Sequence, residues 1–213
     1  MWAWIGLIVS GVVAIYILAV YPLCLALTRG HARPSVMKDP AFRLQVTVIM
    51  AVYNGAAFLR KKLNSILSLD YPKELMQILV VSDGSTDGTE AIALEYQDRG
   101  VQLIVASHAG KAACLNLAFE RATGEILFFT DVRQLLDPQA LGHLVANFAD
   151  PTVGGVTGEL RLLPGDHGEH QDMGAYWRYE LWARRKHSQI DSVFTTTGCI
   201  YALRRALAER YFE

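Results

Sequence analysis

The sequence predicts an α/β domain with a mostly parallel sheet and flanking helices, preceded by one transmembrane helix. Three observations predict it. Short β-branched runs alternate with amphipathic helical stretches between residues 45 and 148, the pattern of βαβ units. Polar clusters fall at the carboxyl ends of the expected strands, where sheets of this kind bind ligands. No Asp, Glu, Lys or Arg occurs from Trp2 to Thr28.

Residues 1–28 are the expected membrane anchor. A helix of this length spans roughly 40 Å, more than the roughly 30 Å of bilayer hydrocarbon. Trp2 and Trp4 at one end and Tyr21 near the other suit the interfacial belts. Pro22 marks a kink or the approach to the surface. A cleaved signal peptide would carry a basic region before a shorter apolar run; here no basic residue precedes the run. Arg29, Arg33, Lys38 and Arg43 follow it, so the positive-inside rule places the remainder in the cytoplasm. Residues 29–43, with Pro34 and Pro40, read as a linker.

Residues 44–213 form the expected α/β domain. Gln45–Ala51 is a β-branched run that reads as a buried strand. In the helix from Gly55 to Leu69, Phe58, Leu59, Leu63, Ile66 and Leu67 fall on one face. Arg60, Lys61 and Lys62 are assigned to the opposite, solvent-facing side. Strands are then expected at Gln77–Ser82, Val101–Ala106 and Glu125–Thr130, and helices at Glu90–Arg99, Lys111–Ala122 and Pro138–Phe148. Tyr53-Asn54, Asp83, His108–Lys111 and Asp131–Arg133 follow the four strands in turn, and the topology brings all four clusters to one cleft.

Charge and composition exclude several classes. The 20 basic and 21 acidic residues nearly cancel and form no run, which argues against nucleic acid. Cys24, Cys114 and Cys199 are odd in number and far apart, the usage of a reducing compartment and neither a disulfide framework nor a zinc site. The histidines show no metal spacing, and His167 and His170 lie in a Gly/Pro-rich loop. The stretch Asp83 to Thr89 imitates a calcium loop, but Leu94 stands where a bidentate Glu is required. Ala109-Gly110-Lys111 imitates a P-loop, but Val105 and Ala112 replace the required Gly and Ser/Thr.

What remains has chemical content. Asp87, with Glu90 three residues on, makes a capping box for the next helix. Asp83 ends a buried strand with no cap to make, so its carboxylate can accept a ligand's N–H or hydroxyl groups. Lys111 opens a helix at a strand's carboxyl end, either as a solvated lysine or as a phosphate contact aided by the helix terminus. Asp131 ends a very apolar strand, either to cap a turn or to hold a hard cation that bridges a diphosphate.

Together these segments resemble the family 2 glycosyltransferases, which have the GT-A fold. The resemblance rests on Val48 to Asn54, Asp83 to Thr89, Gly110 to Ala113 with Leu115-Asn116, Asp131, Gly158-Glu159-Leu160, and Gly198 to Arg205. The subgroup resembled is the membrane-bound, processive type related to cellulose, chitin, hyaluronan and poly-N-acetylglucosamine synthases. The resemblance implies that Ala51, Tyr53, Asn54 and Asp83 hold the nucleotide, with uridine expected, and that Lys111 approaches the diphosphate. Asp131 would be the first carboxylate of a DxD motif for Mg²⁺ or Mn²⁺, and Gly198 and Cys199 would face the acceptor. Implied partners are a nucleotide-sugar donor, a glycan or lipid-linked acceptor and membrane lipid.

Two departures accompany the resemblance. Arg133 replaces the second Asp of DxD, which weakens a metal site while offering a guanidinium to phosphate. The family's general base and later acceptor motif have no counterpart up to Glu213 and are expected beyond it. An inverting transferase is thus the first functional expectation, with a non-catalytic nucleotide-sugar-binding remnant as the alternative. A nucleotidyltransferase would need an early Gly-rich signature, which does not follow the first strand.

Overall fold

The computed structural model describes residues 2–28, 36–160 and 174–209. His167, His170 and residues 29–35 of the expected linker lie outside them. Internal contacts gather the chain into two compact units. One combines residues 36–160 with residues 196–209; the other combines the N-terminal helix with residues 174–195. Residues 36–43, expected as linker, are tied to the first unit: Asp39 N–H donates to the Ala146 carbonyl at 3.1 Å and Met37 N–H to Asp150 Oδ2 at 3.2 Å.

The larger unit is built on a six-stranded sheet of order β3-β2-β1-β4-β6-β5. The strands are β1 (Val46–Val52), β2 (Met76–Asp83), β3 (Val101–Ala106), β4 (Ile126–Thr130), β5 (Gly155–Thr157) and β6 (Ile200–Arg204). The first four pair in parallel, while β6 runs antiparallel to both β4 and β5. Both faces are covered, which is why these strands read as near-continuous apolar runs. Val46, Val48, Met50, Ile78, Val80, Ile126 and Phe128 enter one core cluster, whereas Ile49, Leu79, Val81, Leu127 and Phe129 enter the other. The period-2 alternation of the strand sorts them.

The first cluster is closed by α3 (Ala56–Leu67), α4 (Thr89–Leu94) and α6 (Ala140–Val145), and the second by α5 (Lys111–Arg121) and α8 (Arg205–Ala208). The expected helix Glu90–Arg99 is shorter than its pattern. It becomes a 3₁₀ turn over Gln97–Arg99 and stops at Gly100, whose φ of 87° is left-handed, a common helix terminator. One expectation fails outright: Lys62 is fully buried, in line with Leu59, Leu63 and Ile66 on the inner face of α3.

In the smaller unit, α1 (Trp2–Ile15), a π-helical turn (Tyr16–Val20) and α2 (Tyr21–Leu27) form one continuous helix, Trp2–Leu27, long and apolar enough to span a membrane. The π turn answers Pro22: a proline ring cannot donate to, and collides with, the carbonyl four residues back, here Leu18 within that turn. Widening the helix there relieves the collision. A further helix, α7 (Gly174–Ile190), packs against α2, and Tyr21 Oη lies 2.6 Å from His187 Nε2.

Candidate functional site

The order of the strands determines where a cleft opens. From β1 the chain runs outward through β2 to β3 and then crosses back to place β4 on the other side of β1, and crevices form at such switch points. The β1–β4 ladder stops at Ile49–Phe129, while the β1–β2 ladder continues to Val52–Ser82. The carboxyl end of β1 is therefore parted from β4. Because β6 is antiparallel, its beginning meets the end of β4, with Ile200 opposite Thr130. The turn carrying Gly198 and Cys199 thus reaches the same sheet edge as Asp131.

Beside this crevice the Asp83–Thr89 loop braces the first turn of α3. Three successive N–H groups there are bound by side chains of that loop: Asn54 by Ser85 Oγ at 3.1 Å, Gly55 by Thr89 Oγ1 at 2.9 Å and Ala56 by Asp87 Oδ2 at 3.1 Å. Asn54, at a left-handed φ of 49°, returns its Oδ1 to Thr86 N–H at 2.8 Å. The Asn54 side-chain amide oxygen thus ties the loop back to the end of β1. Asp87, one residue ahead of Gly88, the N-cap of α4, also accepts from Thr89 N–H at 2.9 Å. Glu90 does not close the capping box; its carboxylate accepts from Ser82 Oγ at 2.8 Å. The Thr89 hydroxyl bond above all, with the N–H bonds from Ala56 and Thr89, holds the Asp87 carboxyl below its ordinary range.

Asp83 is buried and does have a structural task. Its Oδ1 accepts from Ala109 N–H at 2.8 Å and its Oδ2 from Gly110 N–H at 3.0 Å. The Ala109 bond is the main reason its carboxyl stays below the usual range. Gly84 makes the approach possible, since φ is 66° and a Cβ there would lie 3.0 Å from His108 N. The Cys114 thiol also bonds Asp83, and burial pushes that thiol up to about 11, so it is no thiolate nucleophile. These bonds orient the approach to α5 and set Lys111 at its first position. Carboxylate oxygens have further lone pairs for a ligand.

Lys111 and Asp131, read separately in the sequence, meet: Lys111 Nζ donates to Asp131 Oδ1 at 2.6 Å, both partly exposed. Tyr53, exposed at the end of β1, lies against the His108 ring with centroids 4.4 Å apart, leaving an aromatic face at the cleft. Ala51 lies within β1, opposite Val81, with its side chain packed against the second core cluster. Arg133 stacks over Phe58, its guanidinium carbon 5.5 Å from the ring centroid. Cys199 is buried, Gly198 is exposed, and burial raises the Cys199 thiol.

The sequence reading missed two members of this region. Thr130 Oγ1 donates to the Cys199 carbonyl at 3.1 Å. Lys62 Nζ donates to Thr130 Oγ1 and to the Gln134 carbonyl, each at 2.6 Å, and burial pushes its ammonium down to about 8. The signal was present, because residues 59, 62, 63 and 66 have the i, i+3, i+4, i+7 spacing of a buried stripe. Among the described residues no group of three His, Cys, Asp or Glu side chains could form a metal cage. One carboxylate, with oxygens supplied by substrate phosphates and water, is nonetheless how Mg²⁺-like ions are commonly held, and Asp131 fits that role.

Residues 47–212 match the sequence profile of Glycosyl transferase family 2. A poly-beta-1,6-N-acetyl-D-glucosamine synthase of Staphylococcus epidermidis is 31% identical over 122 residues, which covers 55% of this chain and 29% of that protein. An uncharacterized glycosyltransferase of Nostoc is 29% identical over 58% of this chain and 38% of its own length. The chain thus aligns with less than half of the length of these curated relatives. Among solved structures, a mannosyltransferase from Pyrobaculum calidifontis in complex with GDP-Man and Mn²⁺ superposes with a TM-score of 0.77 at 28% identity, over 97% of this chain and 56% of the other.

Proposed function

The chain belongs to Glycosyl transferase family 2, and on that premise we propose that it transfers a sugar, with inversion, from a UDP-sugar donor to a glycan or lipid-linked acceptor at the cytoplasmic face of a membrane. The observation that carries the reading is the Lys111–Asp131 pair at 2.6 Å, beside the turn that holds Cys199. A cation and an anion exposed together at a sheet's carboxyl edge suit a metal-bridged diphosphate, which needs both. The nucleobase stacks on Tyr53 beside His108, and the uracil edge meets the Asp83 loop. Lys111 grips the diphosphate, and Asp131 holds a divalent cation. When bound, that cation offsets charge on the departing nucleoside diphosphate.

The remaining chemistry is positional. The acceptor hydroxyl attacks the anomeric carbon as the bond to the diphosphate oxygen breaks, and the two must stand in line. Gly198, exposed and without nearby atoms around its missing side chain, leaves room for the acceptor. The hydroxyl's proton passes to a carboxylate outside the residues assigned above. Donor binding and transfer are separable. The purified chain is incubated with labelled UDP-N-acetylglucosamine, UDP-glucose and GDP-mannose, with and without Mn²⁺. Mn²⁺-dependent binding with transfer or hydrolysis is expected for a UDP-sugar. Binding without either outcome would make the chain a nucleotide-sugar-binding protein, and no binding at all would overturn both readings.

A further inference from the structure

A lysine in the middle of a packed helix face needs a reason. Leu or Met at position 62 would fill the same stripe without desolvating an ammonium. What Lys62 gains is two acceptors on two sides of one short segment. Thr130 Oγ1 immediately precedes Asp131 and the Gln134 carbonyl follows Arg133, each 2.6 Å from Nζ. The Thr130 hydroxyl then donates onward to the Cys199 carbonyl at 3.1 Å. One buried side chain therefore ties down both ends of the 131–133 segment and, through a single hydroxyl, the turn before β6. These bonds join α3, the end of β4 with its following loop, and the β6 turn, three parts of the chain far apart in sequence.

We propose that Lys62 is a positioning residue of the transfer site, clamping Thr130 and Gln134 so that Asp131 on the donor side and the Cys199 turn on the acceptor side are held in one fixed relation. This rests on the donor-site reading above. Lys62 touches neither substrate in that reading; it acts through the backbone on either side of Asp131. Because the clamp is shared, loosening it disturbs both sides at once, whereas an ordinary packing defect would spread through the core around α3.

The test uses Lys62→Met, Thr130→Val and Thr130→Ser in the full chain, with hydrogen exchange read by segment and UDP or GDP binding read in Mn²⁺. For Lys62→Met, exchange should quicken about tenfold over 131–135 and 197–200 together while β2 stays unchanged. Mn²⁺-dependent nucleotide affinity should drop at least tenfold at an undiminished melting temperature. Thr130→Val should quicken exchange over the same two segments and weaken nucleotide binding likewise, beyond any fall in melting temperature from the acceptor it takes from Lys62. Thr130→Ser should behave as the parent, and the Lys62→Met/Thr130→Val double variant should be no worse than the poorer single one. If Lys62→Met does not fold, the Thr130 pair decides by the same readouts. Unchanged exchange and affinity, or losses that track a global fall in stability, overturn the proposal while leaving the donor site standing. A parent chain that binds neither UDP nor GDP overturns the donor-site reading and this proposal together.

Discussion

Lys111 and Asp131 pair across 2.6 Å, so under the proposed function a donor arriving with a cation would have to part them. In that proposal the lysine would turn to phosphate while the carboxylate would take the metal. This exchange makes opposite demands on two single substitutions. Lys111→Met should weaken UDP binding in Mn²⁺ about tenfold, the order of one charge-assisted hydrogen bond, while leaving Asp131 freer to take Mn²⁺ alone. Asp131→Asn should remove the Mn²⁺ dependence of UDP binding and leave a weaker, metal-independent affinity. Titration calorimetry with and without Mn²⁺ checks both, and a Lys111→Met variant that binds UDP like the parent would refute the exchange. Asp131 and Lys111 were legible because each ends or opens an element at a strand's carboxyl end. Lys62 was not, because the consecutive basic residues Arg60, Lys61 and Lys62 look like one solvated face. A helix turns about 100° per residue, which sends the third of them inward. Asp83 was half legible: its place at the cleft was readable, but its bonds to Ala109 and Gly110 come from a loop that only the folded sheet brings near.

Among the elements, the junction of α3 and α4 is held by one carboxylate. Asp87 accepts from Ala56 N–H at the start of α3 and from Thr89 N–H at the start of α4, so two helix termini depend on its charge. Asp83 and Asp87 are both held below their ordinary range. A depressed carboxyl contributes stability that is present above its unfolded value, near pH 4, and is lost as pH falls through the lower folded value. Urea midpoints should therefore be level near neutrality and decline below about pH 4. Asp87→Asn should lower the midpoint at pH 7 and flatten the acid decline; an equally steep decline would show that Asp87 is not among its causes. A second element-scale constraint is Gly124, where an added Cβ would stand 2.5 Å from Thr47 N and 2.7 Å from Val46 C. Neither backbone atom can yield without moving β1, so Gly124→Ala should cost about 1–3 kcal/mol, as overpacking does. The melting temperature should drop by about 2–4 °C for each kcal/mol, and an unshifted melting curve would contradict this close approach. The parallel strands and α3 to α6 were legible because their apolar periods are long and regular. By contrast β5 is three residues in a glycine-rich stretch, and its pairing with β6 is a long-range match that local pattern does not carry.

For the whole molecule the decisive contrast is between the N-terminal helix and everything after it. Trp2 through Val20 are exposed, large apolar side chains included, which a helix in water does not sustain over such a length. A bilayer is the solvent that such a surface fits. The same contrast marks where sequence reading reached its limit. The long apolar helix was plain from composition alone, whereas the gathering of residues 174–195 with that helix depends on contacts between segments far apart in the chain. Orientation, which the proposed function requires to be cytoplasmic for the site, rests on charge placement: Arg29, Arg33, Lys38 and Arg43 follow the helix and nothing basic precedes it. Positive charge is retained on the cytoplasmic side, and residues close to the membrane weigh most. The full chain should therefore resist alkaline carbonate extraction from membranes, and removing residues 2–28 should release it. In sealed, right-side-out vesicles, added protease should spare the α/β unit and should digest it once the membrane is opened. Changing Arg29, Arg33, Lys38 and Arg43 to Gln, with three Lys inserted ahead of Trp2, should invert that pattern. Digestion of the parent in intact vesicles would place the sheet edge carrying Asp131 on the side away from cytoplasmic nucleotide-sugars, and the proposed donor could not reach it.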